Sequence, residues 1–77
     1  MTLDHDYERR LQAIAEELRT IRREMPFRTT RRGMAGLLGV SVTAWSLAED
    51  GTWTVELAGN LLEKAKAKLV EMLESES

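Results

Sequence analysis

The chain contains no cysteine, which excludes disulfide cross-links, thiolate metal sites and cysteine nucleophiles. Its one histidine, His5, stands alone near the amino terminus, where neither a zinc site nor a Ser-His catalytic pair is to be expected. Proline occurs once, at Pro26, and aromatic residues make up only 5% of the sequence. No apolar run approaches the ~20 residues that a membrane span requires, and no signal-peptide pattern is visible, so the expected location is cytoplasmic. Gly33, Gly36 and Gly39 recur three residues apart, but no Gly-Lys-Ser/Thr follows to make a phosphate loop. The acidic residues lie mostly beside Arg or Lys in helical patterns, which suits solvated surface rather than acid–base chemistry. An enzyme is not expected, and neither is a cofactor or a metal.

What is present is helical. The 77 residues, 43% hydrophobic and 31% charged, suit a single all-α domain spanning 1–77. A monomer of this size buries only about 60% of its unfolded surface, so association would add stability. From Leu3 to Met25, apolar residues at Leu3, Tyr7, Leu11, Ile14, Leu18, Ile21 and Met25 are spaced by three or four. That marks one face of a long helix ended by Pro26. Phe27 to Thr30 reads as a connector, with Phe27 a core plug and Thr29 or Thr30 the cap of the next helix. A second long stripe, Val55, Ala58, Leu62, Ala65, Leu69 and Met72, follows the connector Thr52-Trp53-Thr54. Thr54 is its expected cap, and the helix is expected to reach about Leu73. Both long helices exceed what a small monomer needs. Leu18, Ile21 and Met25 are expected in the core, whereas Leu3, Tyr7 and Leu11, with Leu69 and Met72, are expected at a homodimer interface.

Net charge is −2, but it is unevenly spread. Residues 1–18 carry a net −3 and residues 47–77 a net −4, whereas residues 19–46 carry six arginines against Glu24 alone, a net +5. Local potential decides where a polyanion docks, so the middle segment is the candidate for contact with nucleic acid.

That segment leads into Thr30 to Gly51, which reads as two short helices around a tight turn at Gly39-Val40-Ser41. Met34, Ala35, Leu37 and Leu38 give the first helix an apolar side. Ser41 caps the second, Val42 to Glu49, and Gly51 is its natural terminator. In register, Trp45 and Ala48 turn inward, and Trp53 is balanced between core and interface. Ala35, Gly39-Val40-Ser41, Ser46, Glu49 and Gly51 resemble the helix-turn-helix of the phage repressor and Cro family. The match covers about 22 residues well, a motif of moderate specificity. Two positions depart from that family's pattern. Trp45 stands where Val or Ile is usual, and Ala48 where Trp is frequent, a possible volume-conserving exchange.

The resemblance implies a small transcriptional regulator of bacterial or phage origin, a homodimeric repressor on a palindromic operator in double-stranded DNA. In the residues themselves, Ser41, Val42, Thr43, Ser46 and Leu47 are the candidate base contacts, through hydroxyls and through apolar touches on thymine methyls. No Arg, Lys, Asn or Gln lies on this helix, so the strongest bidentate base contacts are missing. Arg28, Arg31 and Arg32 are the candidate phosphate contacts. Arg31 and Arg32 oppose the dipole at a helix start, a local cost that points to a use elsewhere. Other DNA-binding roles, as an antitoxin, an excision factor or an architectural protein, fit the same residues. A helical adaptor with a protein partner is the alternative from a different class.

Overall fold

The first apolar stripe forms α1, Thr2–Glu24, whose last turn carries Arg22 and Arg23, where cations complement the helix dipole. The structure, a computed structural model, describes residues 2–76 and the side chains of residues 5–75. Three further helices follow: α2, Arg31–Leu38; α3, Val42–Glu49; and α4, Val55–Glu76. No strand occurs among the described residues. The molecule is all-α, with principal extents of 47 × 22 × 17 Å.

Each short helix is delimited by its own residues. The Thr30 hydroxyl accepts the Gly33 N–H at 3.0 Å and the Ser41 hydroxyl accepts the Ala44 N–H at 3.0 Å. Both capping residues are extended, as capping requires. At the carboxyl ends, Gly39 and Gly51 take the left-handed conformation, with φ of 69° and 72°. Past Gly39, the Val40 N–H reaches back to the Ala35 carbonyl at 3.0 Å; past Gly51, the Thr52 N–H reaches the Leu47 carbonyl at 3.0 Å. Both ends therefore close with the same glycine-dependent turn. Thr54 caps α4 by accepting the Leu57 N–H at 3.2 Å, and α4 runs three residues past Leu73.

The long helices α1 and α4 lie side by side. Tyr7 meets Val55 near their starts, while Ile21 and Glu24 share a groove with Lys66 further along, so the two helices run in the same direction. Both α2 and α3 complete the fold, and one core joins all four helices: Leu18, Ile21 and Met25 from α1 and its end, Met34 and Ala35 from α2, Trp45 and Ala48 from α3, and Ala58, Leu61, Leu62 and Ala65 from α4.

Several apolar residues sit elsewhere than their spacing predicts. Leu11 is 7% exposed and belongs to this core rather than to a dimer face. Leu69 and Met72 are half-buried and pack on the same core, so the chain itself already uses much of their apolar surface. Tyr7 is exposed, and its hydroxyl accepts the Val55 N–H at 3.1 Å, satisfying one open donor at the start of α4. The side chain of Leu3 lies outside the described residues. Phe27 is not a core plug: it is 46% exposed, whereas its neighbours Met25 and Thr29 are buried.

Candidate nucleic-acid interface

The candidate surface is built on α3, whose inner face is fully engaged. Trp45, Ala48 and Glu49 are all 0% exposed, and Trp45 is the largest fully buried side chain. The inward register of Trp45 and Ala48 is thus observed. A buried carboxylate at Glu49 was not legible from hydropathy, since helical glutamates are ordinarily solvated.

Glu49 is tolerated there because every lone pair meets a donor. Arg22 donates from Nε to Oε2 at 3.0 Å and from Nη2 to Oε1 at 2.8 Å, a two-pronged pairing from α1. Arg31 donates from Nε to Oε1 at 3.2 Å from the start of α2. The Trp45 indole N–H, one turn back along α3, donates to Oε2. The surrounding arginines also hold the backbone. Arg19 donates to the Glu49 carbonyl at 2.8 Å, and Arg22 to the Thr29 carbonyl at 3.3 Å. Arginine at the carboxyl end of α3 also complements that helix's dipole. One carboxylate thereby ties α1, α2 and α3 together, and among the described residues no buried side-chain polar atom lacks a partner.

Past this hub, Arg31 extends to Asp50, the residue after α3. Its Nη2 donates to Oδ1 at 2.8 Å and its Nη1 to Oδ2 at 3.3 Å. The hydrogen bond that Arg31 donates to Asp50, more than any other influence, raises the Arg31 pKa further above its already high ordinary value. Arg31 is therefore not a free phosphate contact in this structure. Its place against the helix dipole, which points to a use elsewhere, is explained by two carboxylates.

The same network redraws the basic segment. Arg19, Arg22 and Arg31 are held by Glu49, Asp50 and backbone carbonyls. Arg23 donates a hydrogen bond to the Thr20 hydroxyl at 3.3 Å on an exposed surface and forms no ion pair among the described residues. Arg28, in the connector, and Arg32, on the first turn of α2, are exposed and make no hydrogen bond or ion pair among the described residues. The arginines available to a polyanion are thus fewer than the sequence count implies.

On the outer side of α3, Val42, Thr43 and Leu47 are exposed and Ser46 is half-buried. Ser41 is exposed too, and its oxygen is already the helix cap; the hydroxyl hydrogen can still be donated. The candidate base contacts therefore lie on the accessible side, carried by a helix whose opposite side is locked into the core. No three of the described His, Asp and Glu residues are grouped to hold a metal ion. No helix among the described residues is long and apolar enough to cross a membrane. Comparison with known protein families, with curated proteins and with solved structures returns no match.

Proposed function

We propose that this chain is a sequence-specific DNA-binding regulator of the helix-turn-helix type, resembling the phage repressor and Cro family, and that it acts as a repressor. The observation that carries the proposal is the setting of α3: a two-turn helix, capped at both ends and fixed from beneath by Trp45, Ala48 and Glu49, that turns Val42, Thr43 and Leu47 outward. The major groove of B-DNA admits a helix of this width and displays thymine methyls and hydrogen-bonding edges that such side chains read. Arg28 and Arg32 are unengaged cations close by in sequence, suited to phosphate. The reading includes a homodimer on a palindromic operator with half-sites about one helical turn, roughly 34 Å, apart. Selection of bound duplexes from a random pool tests it. A recovered palindrome is the expected result, and no enrichment at low salt counts against DNA.

One observation favours a second reading. Val42 and Leu47 are exposed apolar residues on a helix with no exposed charge before Asp50, a surface that also suits a protein partner. A chain that selects no duplex and instead captures a partner through α3, with Val42→Asp abolishing capture, would establish that adaptor role in place of DNA binding.

A further inference from the structure

The Arg31–Asp50 pair is unlike the contacts around it. Glu49 is sealed from solvent, so its bond to the Arg31 Nε is a protected anchor. Asp50 is open: its side chain is 49% exposed and that of Arg31 is 38% exposed. Two of the guanidinium nitrogens, Nη1 and Nη2, point at this accessible carboxylate. The planar fork of arginine accepts carboxylate and phosphate oxygens in the same two-pronged geometry. Exposed ion pairs of this kind are weak and exchange readily. Asp50 also places a negative charge immediately after α3, where it would repel an approaching phosphate.

We infer that Asp50 is an internal stand-in for a DNA phosphate: it occupies the outer edge of Arg31 in the free protein and yields that edge to the DNA backbone on docking. The inference rests on the DNA-binding reading above and adds a positioning role to it. Arg31 keeps its Nε anchor on Glu49 throughout, so the guanidinium is pre-aimed and only the Asp50 side chain has to turn away. Binding through Arg31 is then an exchange of one anion for another. Its net gain is small while Asp50 is charged, and larger once Asp50 is neutral. Arg28 and Arg32 have no such competitor. Asp50 would thus hold affinity down for any duplex, which limits non-specific occupancy without altering the side chains that read bases.

A mutant cycle on the full chain tests this, using the duplex that the wild type selects from the random pool. Dissociation constants are measured over a salt series for the wild type, Asp50→Asn, Arg31→Gln and the double mutant, with circular dichroism confirming helix content. Arg31→Ala replaces Arg31→Gln if the latter fails to fold. Asp50→Asn is expected to tighten binding about two- to fivefold, the size of an exposed ion pair. The dependence of log K on log salt should change little, because the wild type makes the same Arg31–phosphate contact once Asp50 has turned away. In the Arg31→Gln background the tightening should vanish, and the salt slope should fall by about 0.9. Unchanged binding by Asp50→Asn would overturn the inference, as would tightening of equal size without Arg31, which would mark a general charge effect. If the wild type enriches no duplex at low salt, the DNA-binding reading itself fails, and this inference with it.

Discussion

At the scale of single residues, Glu49 decides most. Its carboxylate is 0% exposed and accepts from Arg22, Arg31 and Trp45. Removing one partner of a buried ionic cluster strands the others, and that asymmetry makes the site costly to disturb. Glu49→Gln keeps the shape but loses the charge and part of the accepting capacity. It should destabilise the fold by about 3 kcal/mol, toward the low end for a buried pair because both arginines retain some solvent. Urea unfolding followed by tryptophan fluorescence measures this, and a loss below about 1 kcal/mol would show that the network contributes little. Glu49 was legible in the sequence as a position of the helix-turn-helix pattern, but its burial was not. The only local clue is Trp45, four residues earlier on the same face, together with a segment that holds six arginines against Glu24 alone.

At the scale of elements, the short helices depend on their ends. With eight residues each, α2 and α3 are too short to persist alone. Caps and left-handed glycines satisfy the end groups that tertiary packing does not. Alanine at Gly39 meets no neighbouring atom, so its cost is conformational alone, about 1 kcal/mol. A Cβ on Gly51 would lie 2.6 Å from the Gln12 side-chain nitrogen. Since that amide is the far end of a flexible chain, Gly51→Ala should cost only slightly more than Gly39→Ala. Gly36, by contrast, sits inside α2 at negative φ with nothing within 4 Å of an added Cβ. Gly36→Ala should stabilise the protein by up to about 1 kcal/mol, raising the melting temperature by a few degrees. Thermal unfolding of the three variants checks both the signs and the order. These boundaries were legible because caps and terminators are local: Thr30, Ser41, Thr54, Gly39 and Gly51 act on backbone groups within a few residues.

At the scale of the whole molecule, charge and association set how the protein meets a partner. Arg28→Ala and Arg32→Ala should each weaken DNA binding uniformly across sequences and lower the salt slope by about 0.9. A slope unchanged in both variants would remove the phosphate role from them. Association is a separate matter. The core already contains Leu11 and draws in Leu69 and Met72, but Leu57 and Val70 on α4 remain exposed, Val70 to 54%. A homodimer would cover such surface. Sedimentation at micromolar concentration should give a mass well above the 8.7 kDa of one chain, and a mass at that value would leave the operator reading without its two-fold symmetry.

The sequence by itself determined what local physics governs. Apolar residues every three or four positions specify α1 and α4, Pro26 ends the first, and the Gly39 turn divides α2 from α3, because periodicity, capping and φ preference act over one or two turns. Tertiary structure alone decided which charges are spent. Arg22 lies 27 residues from Glu49, and Arg31 lies 19 from Asp50, separations over which no periodic signal operates. The same applies to Leu11 and Phe27: the sequence marks the first for a dimer face and the second as a core plug, but tertiary packing buries Leu11 and leaves Phe27 exposed. The formal +5 of the middle segment is a property of the sequence. Its reach into solvent is a property of the fold, because carboxylates brought in from the end of α3 neutralise part of it.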